Sequence, residues 1–304
     1  MIPISLSKLL PILFVAIAFI PALVVILIIN SKKKSRRTSV AANVLRTPGE
    51  SLRLIIEDFD DKINESLFFL FSTPPALCAA YIAQSHFTSR QPGNLVIITL
   101  VLLVLVILYL YIKKLSLLLR IRHTYRVGLD AELAVGQELN YLMLDGFQVF
   151  HDFPQEQNNI DHIAVGPAGV FAIETRGIVK PEPGKGATVA RLIYDGRSLI
   201  FPDKHKISEP IAQARKQAAA LAAWLGSVID EPVAVQAALA LPGWVVERKE
   251  QDGFVLLAGR KKDYLQALNG REGGEDLADE LIRQIAQHLS EKCRRTAHEA
   301  DDAP

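Results

Sequence analysis

The stretch NIDHIAVGPAGVFAIETR, residues 159–176, decides how the C-terminal half of this chain reads. Two β-prone runs, IDHIAVG at 160–166 and VFAIETR at 170–176, flank Pro167-Ala168-Gly169, whose turn formers favour a hairpin. If Gly166 faces Gly169, Asp161 and Glu174 stand directly opposite each other, with Cβ atoms about 4.5–5.5 Å apart on one face. Two facing carboxylates repel, and a fold keeps such a pair where a cation sits between them. Oxygen ligands of this kind suit Mg²⁺ or Mn²⁺. Arg176, two residues beyond Glu174, shares its face by strand periodicity and can hold a phosphate. The competing geometry is a three-residue loop bulged at Gly169, which shifts the register by one and turns Asp161 away. His162 faces the side opposite Asp161 and reads as a packed core histidine.

Working outward, FQVFHDF at 147–153 predicts a further strand. Ahead of it, Leu133, Val135, Leu139, Leu142 and Met143 recur at helical spacing, which predicts a helix over 130–144 stopped by Gly146. Downstream, VARLIY and SLIFP flank Asp195-Gly196, the signal of a two-residue hairpin turn. Pro210 opens a helix whose buried stripe is Ile211, Ala214, Ala218, Leu221 and Leu225, with Gln213 and Gln217 one turn apart beside it. Strands are expected at 233–241 and 254–258, and Leu277, Leu281, Ile285 and Leu289 mark an amphipathic terminal helix. The tail after Arg294 reads as disordered. Strands interleaved with helices in this way predict an α/β domain, a mixed central sheet flanked by helices. Trp224 and Trp244 read as core or partner contacts.

The N-terminal half has a different character. Of the 304 residues half are apolar, and the net charge of +1 conceals an asymmetry. Residues 1–126 carry 15 Lys and Arg against 6 Asp and Glu, a net +9, whereas the remainder carries 19 against 27, a net −8. Residues 6–29 and 95–112 are apolar runs long enough to cross a hydrocarbon core of about 30 Å. Residues 67–83 are shorter and interrupted by Pro74 and Pro75, so this segment reads as a span, a re-entrant hairpin or an interfacial helix. Basic clusters follow the first run (Lys32, Lys33, Lys34, Arg36, Arg37) and the last (Lys113, Lys114, Arg120, Arg122, Arg126). Such clusters gather on the cytoplasmic side, and three spans place both there. The expected organisation is a transmembrane region over 1–126, an α/β domain over 127–268, and a helix with its tail over 269–304. The anchor would sit in the inner membrane with the C-terminal domain cytoplasmic. Two cysteines, Cys78 and Cys293, exclude a disulfide framework and a cysteine-rich zinc site. The sequence has no GxSxG elbow and no HExxH zinc helix, and Gly184-Lys185-Gly186 lacks the spacing of a phosphate-binding loop.

The succession GLDAE at 128–132, NIDHIAVGPAGVFAIETR at 159–176, EPIAQARKQ at 209–217 and ALALPGW at 238–244 resembles the nuclease-related (NERD) domain family over roughly 127–268. That family is placed among the PD-(D/E)xK nuclease-like folds, so the resemblance implies a restriction-endonuclease-like sheet and metal-dependent phosphodiester cleavage. It implies a metal-binding role for Asp161 and Glu174. Glu132 matches the acidic residue of the first helix, and Gln213 the glutamine after the proline motif. Arg176 stands where the family pattern has lysine. Lysine can lose its proton when buried and help to activate a water, whereas arginine stays charged. Lys180 and Lys185 are alternative sources of an ammonium group.

The resulting expectation is a membrane-tethered, Mg²⁺- or Mn²⁺-dependent nuclease acting on DNA. Its lipid bilayer would be one partner and another protein a second. Asp161 and Glu174 would bind metal, Arg176 would contact the scissile phosphate, and Glu132 and Gln213 would support the site. The alternative is a catalytically silent module that binds nucleic acid or protein at the membrane. The net −8 of residues 127–304 speaks for the alternative, because nucleic-acid binding draws on positive surface.

Overall fold

The computed structural model describes residues 44–88, 94–155, 158–179, 191–250, 253–258, 261–269 and 276–294. Its described residues fall into two compact units, one of 56–123 and one of 44–55 with 124–294. The first expected span, residues 6–29, lies outside the described residues, as do Lys180, Lys185 and the tail beyond Arg294.

Residues 56–123 belong to two long helices, α1 (Glu50–Thr88) and α2 (Asn94–Asn140). Within this unit they pair in opposite directions, with Phe69 stacked on Tyr111 at 6.0 Å between ring centroids and Arg122 paired to Asp60. Pro74 and Pro75 sit inside α1, so the interrupted run at 67–83 is carried by a continuous helix. Among the described residues these two helices are long and apolar enough to cross a membrane, by length and composition. Ile98, Val101, Leu102, Leu105, Leu110 and Ile112 are exposed in the structure.

The helix expected at 130–144 is the last part of α2, completed by a 3₁₀ turn over Tyr141–Asp145. Gly146, at φ 85°, caps it in the left-handed conformation that favours glycine, and its N–H donates to the carbonyls of Leu142 and Met143. Three strands follow, β1 (Gln148–Phe153), β2 (Ile160–Gly166) and β3 (Gly169–Thr175). Next come β4 (Arg191–Tyr194), β5 (Leu199–Ile200), β6 (Lys206–Ile207) and helix α3 (Glu209–Ile229). The chain continues through β7 (Val235–Ala240), β8 (Val245–Arg248) and β9 (Val255–Leu257). The last described elements are helices α4 (Lys261–Asn269) and α5 (Asp279–Lys292).

The strands form a mixed five-stranded sheet of order β1-β2-β3-β7-β9 and a smaller sheet of order β6-β5-β4-β8. In the larger sheet β1, β2 and β3 are antiparallel, and β7 and β9 add parallel to β3. Both faces are covered. On one, Ile163, Val165, Val170 and Ala172 pack against Leu221 and Leu225 of α3 and Ile285 and Leu289 of α5. On the other, Ala164, Phe171 and Ile173 meet Val135 and Leu139 of α2 and Tyr264 and Leu268 of α4. Every residue of β3 is buried, as a central strand covered on both faces must be. The smaller sheet packs Leu192, Tyr194 and Leu199 against Ile211 and Ala214 of α3.

Two details differ from the sequence reading. The β4–β5 connection is a four-residue loop, because Tyr194 pairs with Leu199; Asp195 closes it by accepting from the N–H groups of Arg197 and Ser198. The Asp195 side chain thus supplies a local turn that competes with the two-residue alternative. The short strands β6 and β8 carry no period of their own and gain their pairing from β5 and β4.

Candidate functional site

The β2–β3 hairpin has the register in which Gly166 faces Gly169, and the ladder runs without a slip to His162 opposite Ile173. One step further, Asp161 stands across from Glu174. The β1–β2 ladder extends this row, since His151 pairs with His162 and Phe153 with Ile160, leaving Asp152 opposite Asp161. Three acids on three adjacent strands therefore occupy one row at the end of the sheet. Sequence reading found two of them and missed Asp152.

Asp152 has φ 50°, a left-handed conformation that aspartate tolerates better than most residues. The strand's alternation breaks there. Phe150 and Phe153, three residues apart, enter the same core cluster, although strict alternation would send them to opposite faces. The Asp152 carboxylate, 2% exposed as a residue, accepts from Arg46 Nη1 at 3.0 Å, Ser51 Oγ at 2.6 Å, Ser51 N at 3.2 Å and Asn159 Nδ2 at 3.0 Å. One member of the row is thus neutralised and fully hydrogen-bonded. Its partners Arg46 and Ser51 come from the chain around the start of α1.

Asp161 and Glu174 have less. Asp161 accepts from the Thr175 backbone N–H at 2.6 Å, and Glu174 accepts from the Gln217 side-chain amide at 2.8 Å. Glu132, 7% exposed, reaches the group from α2. Gly49 supports it with its backbone N–H, and this loop glycine has φ +68°. Burial pushes the Glu132 carboxyl up to about 8, with the Asp152 and Glu174 carboxylates adding to the rise and the Gly49 N–H opposing it. Burial likewise raises Glu174 to about 7, against the pull of Arg176 and Gln217. Asp161 is raised well above the usual range, first by burial, then by Glu174 and Glu132. The three carboxyl groups interact through charge and lack sufficient positive partners, so at neutral pH they hold protons or call for a cation.

Arg176 continues β3's pairing, its N–H donating to the Ala240 carbonyl at 3.0 Å. Its guanidinium pairs with Glu209 and donates to the Gln213 carbonyl oxygen at 3.3 Å. Gln213 thereby positions Arg176 and, like its neighbour Gln217, also holds the Glu174 carboxylate. Gln217 also donates to the Asn159 carbonyl at 3.1 Å, and its own Oε1 is buried with no hydrogen-bond partner.

His162 lies under the row on the opposite face, fully buried. Its Nδ1 shares a hydrogen bond with His151 Nδ1 at 2.8 Å, and His151 Nε2 meets Asn140 Oδ1 at 3.2 Å. Burial lowers His151 to about 4, and burial with the neighbouring His151 lowers His162 well below its usual value. Both imidazoles are neutral structural groups at neutral pH.

Among the described residues no group of three or more His, Cys, Asp and Glu side chains is arranged to ligate one ion. A cation between Asp161 and Glu174 would have to complete its shell with other ligands. Mg²⁺ is commonly held this way, by one or two carboxylates with waters and phosphate oxygens supplying the rest.

Compared with known families, residues 127–242 match the Nuclease-related domain family, NERD. The matched segment contains Glu132, Asp152, Asp161, Glu174, Arg176, Gln213 and Gln217, but not Arg46, Gly49 or Ser51. No curated protein and no solved structure gave a significant match.

Proposed function

We propose, from the match of residues 127–242 to a nuclease-related domain, that the chain is a metal-dependent nuclease hydrolysing DNA phosphodiester bonds. The observation that carries this reading is the buried, mutually repelling set of Asp161, Glu174 and Glu132 at the end of the sheet. Such a set costs stability unless a positive ligand enters it.

The order of strands supports the restriction-endonuclease-like reading: an antiparallel β1-β2-β3 meander, a helix α3 packed on it, and β7 returning parallel to β3. Asp161 and Glu174 would hold Mg²⁺ or Mn²⁺, which when bound supplies Lewis acidity and lowers the pKa of water. Glu132, with its elevated affinity for protons, would exchange one with the site near neutral pH. Arg176 would meet the phosphate. Its guanidinium, oriented by Glu209 and Gln213, keeps its charge throughout and serves as an electrostatic partner, not as a base.

The apolar faces of α1 and α2 would lie in the inner membrane and tether the domain on its cytoplasmic side. This rests on their length, their exposed Leu, Ile and Val residues, and the basic residues 113–126.

A second reading, a silent binding module, draws on one observation: the residue standing in place of the family lysine is already paired to Glu209. One assay decides between them. Full-length protein in detergent is expected to cleave linear DNA with Mg²⁺ or Mn²⁺, and Asp161→Asn or Glu174→Gln to lower the rate by roughly 100-fold or more. Equal traces of cleavage by wild type and both variants would leave only the binding module.

A further inference from the structure

A cavity of about 670 Å³ opens beside the carboxylate row. It shares a wall with the site. Gln213 and Gln217 line it, and they are the residues that contact Arg176 and Glu174. Its other side is aromatic: Trp224 meets Phe153 edge-on, with ring centroids 5.0 Å apart. Phe153 is fully buried and Trp224 half-buried, so Phe153 backs the indole. The other tryptophan, Trp244, is 2% exposed in the core and has no such role. Lys216 of α3 and Lys292 of α5 are exposed at the cavity.

The volume lies in the range of small-ligand sites, roughly 300–1,000 Å³. Two ammonium groups attract an anion, an indole ring offers a surface for a flat ring, and the side-chain amides of Gln155 and Asn158 in the same lining can read the polar edge of that ring. Together these are the chemical parts of one nucleotide. An aromatic surface can take a base only when the base has left its stack, as single-strand binders do. The lysines also answer the charge objection, since within a net −8 half they put positive charge next to the site, where a phosphate backbone would run.

We propose that this cavity binds one unpaired nucleotide flanking the bond to be cut, so that the preferred substrate is a single-stranded segment or a frayed end. The proposal rests on the nuclease reading for the identity of the neighbouring phosphate, but its binding step is independent of cleavage.

The test uses the full chain in detergent with EDTA, so that no cleavage occurs. Tryptophan fluorescence is followed while single-stranded dT₆, rU₆ or a blunt DNA duplex is added. Saturable quenching is expected with a single-stranded hexamer, roughly tenfold tighter than with the duplex. The two hexamers separate DNA from RNA as the source of the nucleotide. Trp224→Phe should remove most of the quench while retaining the fold. Lys216→Glu with Lys292→Glu, both at exposed positions, should weaken binding by roughly tenfold or more and flatten its salt dependence. No quench, equal affinity for duplex, or unchanged affinity in the lysine variant would overturn the subsite. Quenching in EDTA without any metal-dependent cleavage would keep the subsite and remove the nuclease reading. Metal-dependent cleavage of both single strands and duplex at equal rates, with no quench, would do the reverse.

Discussion

Glu132 shows how one residue's environment becomes a measurable property. The Glu132 and Glu174 carboxyls titrate near 8 and 7 in the folded chain, against about 4.5 when exposed. Between those values the native state binds more protons than the unfolded state, so stability falls as pH rises. His151 acts in the opposite sense between about pH 4 and 6.5, and His162, also lowered by burial, acts in the same sense as His151, because both are neutral when folded and charged when unfolded. The trends offset below about pH 6.5, and above it only the carboxylates remain. In the presence of a chelator the full chain is expected to lose on the order of 2 kcal/mol between pH 6.5 and 8. Glu132→Gln should flatten that decline, as read from denaturant midpoints. A flat wild-type profile would mean that these groups are ionised in the native state without cost. The pairing of Asp161 with Glu174 was legible as one of the two registers open to the Gly166-Pro167-Ala168-Gly169 turn, and the fold takes the one in which Gly166 faces Gly169. Asp152 was not, since its place in the row depends on a left-handed φ that breaks the alternation on which strand reading relies.

At the level of elements, the segment from Arg46 to Ser51 acts as a latch. Arg46 and Ser51 grip Asp152, the Arg46 N–H donates to the Cys293 carbonyl, and Leu45 bridges to Arg294 after α5. Between the gripping residues lies Gly49, whose N–H holds Glu132. A side chain at Gly49 would place its Cβ 2.4 Å from Leu129 Cδ1, and φ is +68° there. The partners are 101 and 106 residues apart in sequence, a distance over which no periodicity or turn signal operates. That separation is why the latch was invisible to a reading of local pattern. Asp152→Ala would take the buried carboxylate away from Arg46, whose side chain is 10% exposed, and from Ser51 and Asn159, at a cost of about 3–5 kcal/mol. Ser51→Ala should cost about 1–3 kcal/mol. Chemical denaturation of the full chain measures both, and values below about 0.5 kcal/mol would show that the latch contributes nothing to stability. The main helices and strands, in contrast, were legible where their periods are strong, as in the α3 stripe of Ile211, Ala214, Ala218, Leu221 and Leu225, all buried. Weak edges such as β6 and β8 take their form from neighbours and left no trace in the sequence.

Over the whole molecule, the family match covers only part of one compact unit. Residues 127–242 hold the acids, while the latch and the covering helix α5 come from outside that segment. The helices α1 and α2 each contribute residues to both units, and their exposed apolar stretches were plain in the sequence because hydropathy needs no tertiary contact to be read. Charge asymmetry was equally plain, but its resolution into two lysines beside one cavity required the fold. The most direct measurement is Mn²⁺ binding to the full chain at pH 7.5, followed by electron paramagnetic resonance of the free ion alongside thermal unfolding. Wild type should bind the ion and gain stability, while Asp161→Asn and Glu174→Gln lose the binding and gain stability without it. Absence of Mn²⁺ binding at millimolar concentration, or binding that both variants retain, would contradict the account.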